Sequence, residues 1–162
     1  MLLRFEPHPF KFRTKLACEI ADIDPLRLNE SIAASDGYKC APETRPGVAR
    51  EFGEFDLIAL YLFRFLTTLG YSQSLASMYA CGVQNALTNS YADALPDRFD
   101  FPLNPFPDEI VHRKSDDPPV YVHSGDLVAH TTICFDVTHL RKLIQERMEH
   151  VAKRENNTFG DG

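Results

Sequence analysis

The chain has 162 residues, 44% hydrophobic and 25% charged, with a formal net charge of −6. Those totals suit one globular domain or a small domain with an appendage, and no disulfide or metal staple is needed at this length. The longest apolar run, Leu57–Leu69, is interrupted by Arg64 and is too short to span a bilayer, so no membrane association is expected.

Along the chain, Phe10-Lys11-Phe12-Arg13 alternates apolar and basic side chains and predicts a short strand. Thr14 is expected to cap a helix through Ala21, with Leu16, Ala17 and Ile20 as its apolar stripe. Asp22-Ile23-Asp24 breaks it. Asp24 then caps a second helix, with Pro25 in the first helical position, where its missing N–H costs nothing. That helix runs to about Ala34, with Leu26, Ile32 and Ala33 facing the core and Arg27, Asn29 and Glu30 turned elsewhere. Asp36-Gly37, Pro42 and Pro46-Gly47 make residues 35–53 a loop, with short strands expected around Tyr38 and over Ala49–Phe52.

Glu54–Leu69 carries Phe55, Ile58, Leu62, Phe65 and Leu66 at helical spacing, and Gly70 ends it. Ser72 caps a helix from Gln73 to about Leu87, with Leu75, Met78, Tyr79, Val83 and Leu87 inward. The stretch from Asn89 to Pro119 holds six prolines and no clear period, which reads as a linker or irregular arm. Val120–His123 and Leu127–Val137 are strand-like, and Ser124-Gly125-Asp126 between them signals a hairpin. Thr138 is then expected to cap an amphipathic helix bearing Leu140, Leu143, Ile144, Met148 and Val151. The tail from Glu155 is expected to be disordered.

The four cysteines, Cys18, Cys40, Cys81 and Cys134, show no CxxC pairing and are read as reduced thiols, mostly buried. Met1-Leu2-Leu3-Arg4 turns charged too soon for a secretory signal, so cytoplasm is the expected compartment. No Gly-rich phosphate loop, nucleophile elbow or His-Glu-x-x-His is present, so no enzymatic activity is expected. The histidines show no firm metal-ligand spacing, and neither metal nor cofactor is expected. Charge is uneven: seven basic and six acidic residues lie in 11–50, against eight basic and thirteen acidic in 91–162. The acidity therefore sits in the second half, and a local positive face remains open to the first.

Two short helices joined by a tight turn are a helix-turn-helix candidate, and the loop that follows, bearing Lys39, Arg45 and Arg50, is expected to form a basic wing. The chain here resembles the MerR family of transcription regulators over roughly residues 10–88. Leu16-Ala17 and Ile20-Ala21 match the family's first helix, and Asp24-Pro25-Leu26-Arg27 the start of its recognition helix. Gly47-Val48-Ala49-Arg50-Glu51-Phe52 matches the end of the wing with one extra residue, and Asp56-Leu57 follows in place. Leu69-Gly70-Tyr71-Ser72 matches the turn between the next two helices. Leu28 and Asn29 stand where the family has two aromatics, and prolines follow where it has a long dimerising helix. Similar winged modules in excisionases and phage terminase small subunits also lack that helix.

The expectation is an α+β chain: a MerR-like winged helix-turn-helix at 10–88, a proline-rich linker at 89–119, a β-hairpin plus C-terminal helix at 120–154 and a disordered tail at 155–162. The expected function is sequence-specific double-stranded DNA binding in transcriptional control. Arg27 and Asn29 would read base edges, while Lys15, Lys39, Arg45 and Arg50 would hold phosphates. A homodimer is expected through the C-terminal half, whose apolar helix stripe and strand face (Leu127, Ala129, Thr131, Ile133, Phe135, Val137) would meet a twin; alternatively that helix covers its own strand. A second reading makes the chain a protein-interaction module, with the acidic C-terminal half binding another protein and the winged fold serving as scaffold.

Overall fold

A computed structural model describes residues 7–89, 98–102, 111–113, 122–124, 127–129 and 132–160. The order is β1 (Phe12–Arg13), α1 (Thr14–Ala21), α2 (Pro25–Ala33), β2 (Glu51–Phe52), α3 (Glu54–Thr68), α4 (Gln73–Asn89), β3 (Arg98–Pro102), β4 (Val111–Arg113), β5 (Val122–Ser124), β6 (Leu127–Ala129), β7 (Thr132–Asp136) and α5 (Val137–Gly160). Helices and small antiparallel sheets are mixed, which is an α+β architecture. Among the described residues no helix is long and apolar enough to cross a membrane.

Local signals set most helix ends. Asp24 Oδ1 accepts from the Leu26 and Arg27 amides at 2.8 and 3.1 Å, so the expected cap forms. Gly70, at φ +100°, closes α3: its amide donates to Thr67 O, and Tyr71 N donates to Leu66 O, both at 3.1 Å. Asp22 closes α1 in the same left-handed way, at φ 58°. Ser72 Oγ accepts from Leu75 N at 3.2 Å and caps α4. Two caps differ from expectation. Thr14 is the first residue of α1 rather than its cap, because the N-cap position falls on Arg13 at the end of β1. Asp136, not Thr138, serves α5: its carboxylate accepts from His139 N at 2.6 Å, and an ionised acceptor suits a helix N-terminus better than a hydroxyl.

The strands depart more. No strand forms at Tyr38; its ring is buried against Phe63, 4.8 Å away, and the chain there follows side-chain packing instead of a ladder. β2 covers only Glu51–Phe52 and pairs with β1, Phe12 opposite Phe52. Two strands lie inside the expected linker. β3 is the middle strand of the β4-β3-β7 sheet, and Phe99 is fully buried. The alternation Arg98-Phe99-Asp100-Phe101 carries it, and Pro102 is tolerated because it ends the strand. The expected strand over Leu127–Val137 is divided: β6 pairs with β5, β7 with β3, and Val137 already begins α5. The hairpin residues Gly125 and Asp126 lie outside the described residues, as do Pro96, Pro105, Pro107, Pro118 and Pro119. α5 continues to Gly160, through positions read as a disordered tail.

One core joins the helices with β1, β2, β3 and β7. Leu57, Ile58 and Leu62 of α3 share it with Ile20 of α1, Tyr79 and Val83 of α4, and Leu140, Ile144, Met148 and Val151 of α5. The α5 stripe offered for self-association is therefore used within the chain. Phe135 of β7 sits edge-on to Phe65 of α3 at 5.4 Å, so β7 and α5 both lean on α3. Polar contacts fasten α5 further: Arg141 and Gln145 reach Glu54, Arg147 Nη1 donates to Ile20 O at 2.8 Å, and Arg154 pairs with Glu19.

Candidate functional site

α2 is divided sharply. Leu28 and Ser31 are buried, whereas Arg27, Asn29 and Glu30 are exposed and Leu26 is 73% exposed. The expectation that Leu26 and Ala33 face the core is corrected. Leu28 and Ile32, four residues apart, form the inward stripe, and Leu26 lies off it.

The buried side of α2 is held by polar bonds as well as by packing. Ser31 Oγ donates to Gln73 Oε1 at 2.8 Å and accepts from Tyr38 N at 3.0 Å. Tyr38 N also meets Ser31 O at 3.1 Å. Ser31 thus ties α2 to the start of α4 and to the returning loop, which fixes the roll of α2 and hence the direction of its outer face. A polar cleft of about 470 Å³ runs beside it, lined in part by Arg27, Asp22, Asp24, Arg64 and Gln73. Arg64 Nη2 pairs with Asp22 Oδ2 at 2.7 Å across that cleft, leaving the guanidinium of Arg27 as the outer cation on α2.

The loop beyond α2 ends in a tight turn. Val48 N donates to Arg45 O at 2.9 Å, with Pro46 and Gly47 between them and Gly47 at φ +76°. Proline followed by a glycine at positive φ is the type II arrangement. Arg45 is exposed at the turn and Val48 is 61% exposed. Lys15 is exposed on α1. Lys39 is exposed too, but its ammonium donates to Ala34 O at 2.7 Å, against the C-terminal end of α2. Arg50 is half-buried, and its Nη1 is buried without a hydrogen bond. The six expected site residues therefore separate into exposed ones (Lys15, Arg27, Asn29, Arg45), one engaged with a helix end (Lys39) and one drawn inward (Arg50).

The base of the loop is fastened to α3 and α4. Lys39 N donates to Ser77 Oγ at 3.0 Å, and Gln84 Nε2 donates to Cys40 O at 3.3 Å and to Asp56 Oδ1 at 2.5 Å. Cys40 is disulfide-bonded to Cys81, with Cα atoms 5.5 Å apart. This corrects the reading of both as reduced thiols: folding, not sequence spacing, brings together positions 41 residues apart. Closing such a loop stabilises by about 4 kcal/mol in the chain-entropy account.

Asp56 links this loop base to the start of α3, where its Oδ2 accepts from Gly53 N at 2.9 Å. Burial raises its carboxyl above the usual range, and the bonds from Gly53 and Gln84 and the charge of Lys11 offset this only in part. A raised folded value means the folded state binds the proton better. The stability linked to this group is complete below the ordinary aspartate range and is lost as pH rises through the raised value. Asp56→Asn keeps an acceptor for Gly53 and has no charge to desolvate; its new amide nitrogen faces Gln84, whose side-chain amide must flip to accept from it and give up the long bond to Cys40 O. The variant's urea midpoint is expected to exceed wild type at neutral pH, with the advantage gone by about pH 3.5. A variant less stable than wild type at neutral pH would contradict this.

Sequence reasoning missed the Ser31–Tyr38–Gln73 clasp, the Cys40–Cys81 bond and the exposure of Leu26. Only the last had a local signal, the four-residue spacing of Leu28 and Ile32. No family model matches the chain, and no curated protein matches it.

Proposed function

We propose that the chain is a sequence-specific double-stranded DNA-binding protein of the MerR-like winged helix-turn-helix kind, acting in transcriptional control. In this reading α1 and α2 are the two helices of the motif, α2 lies in the major groove, and the Arg45–Val48 turn with β2 is the wing. The observation that carries it is the division of α2: an inner side locked through Ser31, and an outer side presenting Arg27 and Asn29. Arg27 suits the O6 and N7 acceptors of guanine, Asn29 suits adenine, and exposed Leu26 suits a thymine methyl. Lys15, Lys39, Arg45 and Arg50 serve the phosphates, Arg50 only once its side chain swings outward.

The reading needs no cofactor and no catalytic group, and cytoplasm is the matching compartment. A field this weakly positive favours two copies on a repeated half-site, and a homodimer is part of the proposal. Because the α5 stripe is buried in its own chain, the second copy must meet a different surface. Two variants test the reading on a duplex selected from random sequence. Arg27→Ala should lose about 1–3 kcal/mol of discrimination at one base position. Arg45→Ala should weaken every sequence alike and reduce the salt slope by about one unit. Wild-type binding by both variants would refute the assignment of α2 and the turn to DNA.

A further inference from the structure

We propose that Cys40 and Cys81 form a reversible dithiol–disulfide site, and that its oxidation state controls the order of residues 39–48 and through them the DNA affinity of the chain. The DNA part of this rests on the function proposed above; the ordering part does not.

The two ends of the bond differ in kind. Cys81 is inside α4, a helix of the common core, while Cys40 is in a loop without regular structure. Apart from the cross-link, the loop beside Cys40 is held to α4 by two hydrogen bonds, from Lys39 N to Ser77 Oγ and from Gln84 Nε2 to Cys40 O. The second, at 3.3 Å, is long. Five residues after Cys40 the same segment reaches Arg45 and the exposed turn. Cutting the cross-link therefore loosens the turn while leaving α3, which does not depend on it, in place.

The site has the accessibility that exchange chemistry requires. Both cysteines are half-buried rather than sealed in the core, which is what attack by a small thiolate needs. Cys18, by contrast, is 1% exposed, and burial pushes its thiol up to about 11, so it neither attacks the bond nor scrambles it. Ser77 Oγ lies 3.6 Å from the Cys81 sulfur, giving a released thiol a neighbouring hydroxyl.

The reductant is a small or protein dithiol. One of its thiolates attacks one sulfur of the pair, the S–S bond breaks, and the released thiolate takes up a proton. The second thiol of the reductant, as thiolate, then attacks the reductant's own sulfur in the mixed disulfide and displaces the sulfur attacked first, which takes up a proton, leaving two thiols on the chain and one disulfide on the reductant, a two-electron exchange. A disulfide such as oxidised glutathione runs the same steps in reverse. In a reducing compartment a disulfide is more often a redox sensor than a staple.

The test uses the full chain, exchanged between dithiothreitol and oxidised glutathione. The readouts are alkylation with peptide mapping, amide hydrogen exchange and duplex affinity at fixed salt. Cys40 and Cys81 are expected to alkylate only after dithiothreitol, and oxidised glutathione should reverse this, with Cys18 unreactive in the folded chain. Reduction should speed exchange of the hydrogen-bonded Lys39 and Val48 amides by at least about tenfold while Tyr38, bonded to Ser31, and α3 stay protected, and should weaken duplex binding by about as much. Cys81→Ser should match the reduced form under both conditions. Free alkylation of Cys40 and Cys81 under oxidised glutathione would overturn the inference, as would exchange unchanged within about twofold or loss of α3 protection together with the loop. An oxidised chain that binds no duplex would refute the DNA reading, and hydrogen exchange would still decide the switch.

Discussion

Glu54→Ala is expected to destabilise the fold by about 3–5 kcal/mol and to release α5 from α3. Glu54 is the first residue of α3, and its side chain is fully buried. Its two oxygens take four bonds: Arg141 Nε and Nη2 at 2.7 and 3.2 Å, Gln145 Nε2 at 3.0 Å and His8 N at 2.5 Å. The carboxylate also sits at the positive end of α3. Removing it takes the Glu54 carboxylate from the partly buried Arg141 and the acceptor from the Gln145 amide, and opens a void at a fully buried position, so the penalty exceeds the worth of the contacts themselves. Glu54→Gln keeps shape and two polar groups and should cost less than Glu54→Ala. Denaturant unfolding measures both, and hydrogen exchange of α5 shows whether this helix is what comes loose. An Ala variant within about 1 kcal/mol of wild type would mean that apolar packing alone holds α5.

Gly37→Ala is the second large effect, with an expected cost of about 3 kcal/mol. A Cβ on Gly37 would lie 1.7 Å from Ser31 O and 2.9 Å from Ser31 Oγ. The nearer atom belongs to the backbone of α2, so no side-chain rotation relieves the clash. Either α2 or the returning loop must move, and both moves pull apart the Tyr38 N–Ser31 bonds. Tyr38 would leave a pocket in which it is 1% exposed, which adds the loss of a large buried aromatic. The variant should therefore melt lower and, on the proposed function, lose affinity for every duplex, since the roll of α2 is no longer fixed. An unchanged melting temperature would show that the loop turns back without touching α2.

What could be read from the sequence was what neighbouring residues encode among themselves. Asp24-Pro25, Gly70 and Ser72 are local devices, and each lies where its spacing placed it. The apolar periods of α3 and α5 were legible for the same reason. What was not legible depends on partners far along the chain. Phe99 forms a central strand because β7 and β4 flank it, and nothing in the proline-rich stretch announces those neighbours. Cys40 meets Cys81, Ser31 meets Gln73 and Glu54 meets Arg141 only after folding has brought them together. Arg27 and Asn29 were identifiable as outward residues because α2 is short and well capped. The engagement of Lys39 with Ala34 O follows from how the loop folds back on α2, and the inward turn of Arg50 is likewise a product of the folded loop rather than of any local pattern.

Duplex recognition by α2 and the turn is decided by one titration. The oxidised full chain is measured by fluorescence anisotropy against a duplex selected from a random pool, and against a scrambled duplex, over a range of salt. With four cations directed at phosphates in each of two copies, log K should fall with log salt at a slope of about −4 per bound copy, about −7 for the pair, and the selected duplex should bind at least about a thousandfold more tightly than the scrambled one. No enrichment in the selection, or equal and salt-independent binding of the two duplexes, would contradict the account.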